Sequence, residues 1–400
     1  MVSLADIQRA RKQIAEHVTK TPCVYSEKLS RITGCKVYLK AENRQVTGSY
    51  KVRGAMNRLL NLNEEQKAAG VVAASAGNHA QGLSRAAQML GIKAVIVMPT
   101  TTPLAKVEGT KSFGGEVVLH GYGYDEAYQK AIELQQEHGY TFVHAFDDPD
   151  VIAGQGTIGL ELLEQVPDLD AVVAPIGGGG VISGISSAVK ALKPDVRILG
   201  VETENLPAMK ASLAAGKVTP LPAAKTLADG ISVSVVGSNT FEIAKKYVEK
   251  VVTVDEEEIA NAILYLMEQE KTVSEGAGAV AVAALKHHKL DELQGKTVVA
   301  LISGGNIDMN MISRIIERGL EMNGRLSRLR CVIADRPGCI AKITKLVADH
   351  GANIFDLSQS RPASDVALGQ AEVDLTIEAR GKDHVAEIVA SFKENNIRVI

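Results

Sequence analysis

The chain has 400 residues, of which 46% are hydrophobic and 23% charged, with a formal net charge of −3. That length holds two or three domains. The near-neutral charge, the 4% of aromatics and the absence of Trp give no basic footprint or stacking platform for nucleic acid. No run approaches the ~18 consecutive apolar residues of a membrane span.

Residues 4–18 carry an amphipathic helix pattern with an expected start at Ser3 or Asp6, and the first ten residues show no apolar h-region pattern. A short strand, 36–40, precedes Thr47-Gly48-Ser49-Tyr50-Lys51-Val52-Arg53-Gly54-Ala55, whose helix runs to about Leu62. Strands 70–74, 94–99, 116–119 and 141–143 then alternate with helices 78–90, 103–113 and 124–138. A second series has helices 156–165 and 181–192, strands 170–176 and 197–201, and a Pro- and Gly-rich stretch at 203–240. It closes with helices 241–248, 255–270 and 276–286, strand 296–303 and helix 308–322. Such alternation predicts parallel sheets covered on both faces. After a linker, the tail shows one β-α-β-β-α-β cycle: strand 329–334, helix 339–350, strands 353–359 and 371–378, helix 384–395 and strand 398–400. That pattern is ferredoxin-like. The expected organisation is a catalytic domain 1–322, with a smaller α/β part at about 48–150 inserted in the larger, a linker 323–328 and a tail domain 329–400.

Four stretches carry chemistry. Lys51 sits at a helix N-terminus, where the dipole disfavours a cation and a neutral, nucleophilic amine is favoured. Gly177-Gly178-Gly179-Gly180 joins a buried strand to a helix and leaves backbone N–H groups open to a phosphate. A dinucleotide is one reading of it, with Glu202 as the ribose-binding acid 22 residues beyond Gly180. Ser75-Ala76-Gly77-Asn78-His79 is a second strand-to-helix turn suited to a carboxylate, with Asn78 free to donate to a ring oxygen; a plain N-cap is the alternative. Ser303 ends a strand at the carboxyl edge, where α/β sheets place ligands. The four cysteines, Cys23, Cys35, Cys331 and Cys339, match no zinc or CxxC spacing. Reduced thiols and a cytoplasmic location are expected.

A phosphate, a carboxylate, a reactive amine and a neutral hydroxyl together describe a pyridoxal 5′-phosphate site. Residues 1–320 resemble the fold-type II pyridoxal-phosphate enzymes, which are tryptophan synthase β-like with two doubly wound α/β subdomains, and within them the threonine and serine dehydratases. The resemblance rests on Ser49-Tyr50-Lys51-Val52-Arg53-Gly54-Ala55, Gly177–Gly180, Glu275-Gly276-Ala277-Gly278-Ala279 and Ser303-Gly304-Gly305-Asn306. It implies that Lys51 carries the cofactor as a Schiff base and then takes the substrate's Cα proton. It implies further that Ser75 to His79 hold the substrate carboxylate, that Asn78 meets the ring oxygen, and that Ser303 faces the pyridine nitrogen.

Tyr50 departs from the family's Phe and adds a hydroxyl beside the cofactor. Ala76 stands where related serine racemases place a proton-exchanging serine, which implies poor racemisation. Ala208 stands near where those racemases follow Glu202's counterpart with a metal-binding Asp, so no metal is expected. The implied reaction turns threonine into 2-oxobutanoate and ammonia, with serine as a second substrate, in a homodimer or homotetramer. The tail resembles an ACT domain, and its Asp335-Arg336-Pro337-Gly338 loop implies an amino-acid effector site, isoleucine or valine being the expected ligand. A nicotinamide-dependent enzyme and a non-catalytic amino-acid sensor are the other function classes the sequence leaves open.

Overall fold

The computed structural model describes residues 2–360 and 367–400. It divides into two compact units, Met1–Asp308 and Met309–Ile400. The division falls earlier in the chain than the composition shift suggests. The helix Met309–Met322 goes with the second unit, where Arg328 on the first strand pairs with its Glu321 at 3.0 Å.

The first unit holds two sheets. The larger runs in the order Cys23–Tyr25, Lys36–Ala41, Thr297–Ile302, Ala171–Pro175, Arg197–Thr203, Lys250–Val254. All neighbours are parallel except the edge pair Cys23–Tyr25 with Lys36–Ala41. The smaller is wholly parallel, in the order Glu116–Leu119, Ala94–Met98, Val71–Ala74, Thr141–Phe142. Val71–Ala74, Ala94–Met98, Ala171–Pro175 and Thr297–Ile302 are buried along their whole length. Continuous apolar runs, without alternation, are what strands covered on both faces require.

The helix expected at 156–165 starts at Pro149, two turns earlier, where the Asp148 carboxylate caps the N–H groups of Asp150 and Val151 at 2.8 and 3.1 Å. Gly154, Gly156 and Gly159 hide it from a propensity reading. Here they serve close packing. A Cβ at Gly154 would lie 2.6 Å from the Arg53 carbonyl oxygen, and one at Gly159 2.9 Å from that of Ile185. The helix therefore lies flush against both the Lys51 helix and the helix Gly180–Leu192. The edge strands Cys23–Tyr25 and Lys250–Val254 and the helices Glu27–Thr33 and Glu64–Ala69 were not anticipated.

The second unit is a four-stranded antiparallel sheet of Leu326–Ala334, Asn353–Ser360, Gln370–Glu378 and Arg398–Val399, with helices Cys339–Asp349 and Lys382–Glu394. Its order, counting strands within the unit, is second, third, first, fourth, the arrangement of a split βαβ fold. The core packs Cys331, Ile343, Val373, Ile388 and Phe392. The first strand begins at Leu326, inside the expected linker.

Candidate active site

Lys51 is the first residue of the helix Lys51–Leu60, with Tyr50 as its N-cap. The turn before it is stitched to the end of strand Thr297–Ile302. Tyr50 N–H donates to the Ser303 carbonyl at 3.1 Å, Gly305 N–H donates to the Gly48 carbonyl at 2.9 Å, and Ser49 bridges Gly304. Lysine and serine are thus held by one backbone junction. The Lys51 amine donates to the Ala145 carbonyl at 2.9 Å and lies 5.4 Å from the centre of the Tyr50 ring. Burial pulls the amine down to about 8, and Glu275 acts the other way.

One cavity is lined by Tyr50, Lys51, Asn78, Gly177 to Gly180 and Ser303. Glycine is structurally required in its floor. Gly179 has φ +93°, and a Cβ on Gly178 would lie 2.3 Å from the Phe146 ring. The helix Gly180–Leu192 follows directly, and its first-turn N–H groups have no partner within the helix. Small residues, open N–H groups and a helix dipole form a cradle for a phosphate ester. Ser303 is buried, and its hydroxyl lies 3.3 Å from the Ala277 carbonyl. A poised amine, an anion cradle and a neutral hydroxyl are a donor set that fits pyridoxal phosphate.

One sequence reading changes, and the place of one side chain becomes clear. Glu202 is buried, and its carboxylate accepts the N–H groups of Met209 and Lys210 at 2.7 and 2.8 Å. It caps the helix Ala208–Ala215 and has no reach left for a ribose, which removes the dinucleotide reading. Burial raises its carboxyl to about 7. His79, expected among the groups on the substrate carboxylate, turns its ring into the protein, where Nε2 lies 3.0 Å from the Val143 carbonyl. Burial takes it down to about 3. The imidazole is neutral and can bring no positive charge to a carboxylate. Ser75, Ala76 and Gly77 form the half-buried turn after strand Val71–Ala74 and lie outside the lining of the cavity.

Several groups in the site had no assigned part in the sequence. Glu275 accepts from Asn78 Nδ2 at 2.6 Å, and Asn306 Nδ2 donates to Asn78 Oδ1 at 2.7 Å. Both belong to glycine-rich motifs quoted above, which marked the stretch without marking the side chain. Phe146, on Gly178, precedes Asp147, whose carboxylate caps the helix Ser238–Tyr247 through the N–H groups of Ser238, Asn239 and Thr240. Lys106 pairs with Asp229, next to Gly230 and Ile231 of the lining. No signal in the sequence pointed to these.

A family model for pyridoxal-phosphate dependent enzymes matches residues 14–304. The chain belongs to this family. The L-threonine ammonia-lyase of Thermotoga maritima is 50% identical over 402 residues, covering 100% of both chains. The processed form of threonine deaminase isoform 2 from Solanum lycopersicum superposes with a TM-score of 0.75 at 39% identity, over 78% of this chain and 91% of that one. Maize serine racemase gives 0.76 at 34% identity, over 80% and 98%. In this pyridoxal-phosphate dependent enzyme, no helix among the described residues is long and apolar enough to cross a membrane.

Proposed function

We propose that the chain is a threonine ammonia-lyase, releasing 2-oxobutanoate and ammonia from L-threonine and, as a second activity, pyruvate and ammonia from L-serine. The observation that carries this reading is the Lys51 amine, poised near neutrality in one cavity with the Gly177–Gly180 cradle and Ser303. The full-length likeness to an L-threonine ammonia-lyase supports the substrate.

Lys51 would hold the cofactor covalently, and Gly177 to Gly180 would receive its phosphate. The Asn78 amide would donate to its ring oxygen, and the Ser303 hydroxyl would meet its ring nitrogen. When bound, the cofactor supplies an electron sink for the Cα carbanion. With substrate in the site, the free Lys51 amine would take the Cα proton; an amine that titrates near 8 is an effective base at neutral pH. Backbone N–H groups of the Ser75–His79 turn hold the substrate carboxylate. Ser303 offers no charge, which favours prompt loss of the β-hydroxyl over side reactions at Cα. The unsaturated amine that leaves hydrolyses to the 2-oxo acid and ammonia. Ala76 carries no hydroxyl to exchange a proton on the opposite face, so racemisation is weak.

The second unit acts as an ACT-type regulatory domain. Gly338, at φ +91°, starts the helix Cys339–Asp349 after the Asp335–Gly338 loop, a backbone arrangement suited to an effector carboxylate. The working form is a homodimer or homotetramer, and its four free thiols suit the cytoplasm. The deciding experiment is 2-oxo acid release from threonine and from serine by wild type and Lys51→Ala. Activity retained in Lys51→Ala, or no turnover of either amino acid by a yellow wild type, overturns the assignment. The threonine-to-serine ratio turns on one methyl group, worth only about 1–3 kcal/mol in an apolar pocket.

A further inference from the structure

Asn78 is fixed at both ends. Its Oδ1 accepts from Asn306 Nδ2 at 2.7 Å, and its Nδ2 donates to Glu275 Oε1 at 2.6 Å. The Asn306 end is itself fixed, since its Nδ2 also donates to the Thr47 carbonyl at 2.8 Å. One Asn306 proton goes to the Thr47 carbonyl and the other faces Asn78, with Gln81 Oε1 a more distant acceptor at 3.4 Å, so the atom it faces on Asn78 must be an oxygen. The Thr47 carbonyl lies in the turn that leads into Lys51, where a Cβ on Gly48 would come 2.3 Å from Asn306 Oδ1. One continuous chain of hydrogen bonds therefore runs from Glu275 through Asn78 and Asn306 to the Lys51 turn.

Glu275 is 4% exposed and lines the same cavity as Lys51 and Tyr50. The groups facing it are Asn78 and the Asn306 backbone N–H, which favour its anion together with Lys106, and Asp229, which opposes the anion. Burial is the largest influence and raises the carboxyl to about 7. Glu275 in turn opposes the burial that lowers Lys51.

We propose that Glu275 is a positioning residue of this site: with Asn306 it locks the Asn78 amide so that one N–H points to the bound cofactor, and the charge of its carboxylate, in the same cavity, favours the protonated form of the Lys51 nitrogen. The inference rests on the cofactor reading given above. It assigns Glu275 no contact with substrate and no bond made or broken. Its effect passes through Asn78 by hydrogen bonding and through Lys51 by charge.

The test uses holoenzyme of wild type, Glu275→Gln and Glu275→Ala. The visible band of the lysine-bound cofactor is titrated against pH, and the dissociation constant for pyridoxal phosphate is measured. Glu275→Gln keeps an acceptor for Asn78 and loses the charge. Its expected signature is a titration midpoint at lower pH than wild type, with the cofactor dissociation constant changed less than about threefold. Glu275→Ala also loses the acceptor, and its cofactor affinity is expected to fall about tenfold to a hundredfold. A Glu275→Gln midpoint equal to wild type overturns the proposal, as does wild-type affinity in Glu275→Ala. Should the alanine variant fail to fold, the glutamine variant alone decides. A colourless wild type would sink the cofactor reading and this inference with it, whereas a yellow wild type with an unmoved Glu275→Gln sinks this inference alone.

Discussion

Arg53 donates to Glu42 from Nε at 2.8 Å and from Nη2 at 2.9 Å, and neither residue is exposed to solvent. The same guanidinium reaches Glu161 at 2.7 and 3.0 Å, and Lys40, also fully buried, pairs with Glu161. Two cations and two anions thus close a neutral network two residues beyond Lys51. It ties the Lys51 helix to the helix Pro149–Gln165 and to the larger sheet. A buried pair of this kind contributes little over an apolar equivalent, but breaking it strands a charge. Arg53→Ala is expected to destabilise the first unit by about 3–5 kcal/mol, read as a lower denaturant midpoint. A midpoint within error of wild type would mean that water or Lys40 compensates both carboxylates.

Gly178 faces the Phe146 ring so closely that any Cβ must displace one of them. Overpacking of this kind typically costs about 1–3 kcal/mol. Because the strain falls on the phosphate cradle, Gly178→Ala is expected to weaken pyridoxal phosphate binding by roughly 5- to 150-fold. Adding Phe146→Ala should restore much of the loss. Equilibrium dialysis of the cofactor against both variants checks this, and an unimpaired single variant would place the phosphate elsewhere.

The parallel sheets were legible because fully buried strands such as Ala171–Pro175 are unbroken apolar runs between glycine-rich turns. The same turns exposed Lys51, Gly177–Gly180 and Ser303, since backbone chemistry at strand ends is local and leaves a local mark. What was missed is tertiary. The helix at Pro149 was obscured by glycines whose purpose is contact with Arg53 and Ile185, both remote in sequence. Glu202 sat at the right spacing for a ribose, yet its partners, Met209 and Lys210, became evident only once the chain had turned back on it. The Glu275–Asn78–Asn306 chain spans residues 78 to 306 and cannot be read from any one segment. The Lys51 amine shows the same limit: its helix start was readable, while the burial that dominates its titration was not.

His79 gives a pH prediction. In the unfolded chain it protonates near 6.5, and in the folded protein only near 3. Between those values the unfolded state binds more protons, so acid favours unfolding. The contribution of His79 to stability is complete above about 6.5 and is lost as the pH falls toward 3, with a slope of at most about 1.4 kcal/mol per pH unit. His79→Gln can still donate to the Val143 carbonyl but has no proton to take up. The stability difference between wild type and variant should therefore change in the variant's favour from pH 7 to pH 4. Parallel curves over that range would show that the imidazole is not buried as described.

Ser303 tests why a hydroxyl stands at this strand end. Its Oγ is buried, with the Ala277 carbonyl as neighbour, in a cavity that also holds the Glu275 carboxyl. Removing the hydroxyl deletes one neutral hydrogen bond, so Ser303→Ala is expected to lower kcat/KM by about 2- to 10-fold, the equivalent of roughly 0.5–1.5 kcal/mol. Ser303→Asp is a different experiment. It adds a second carboxyl to a cavity where burial already disfavours the ionised form of Glu275. Desolvation and like charge then drive one of the two to hold a proton. The aspartate variant should fall well below the alanine variant at neutral pH and recover in part as the pH is lowered, when the extra charge is neutralised. Kinetics across pH 6 to 9 for both variants check the order. An aspartate variant as active as wild type would show that this position tolerates charge, and that the neutrality of Ser303 plays no part in the outcome of the reaction.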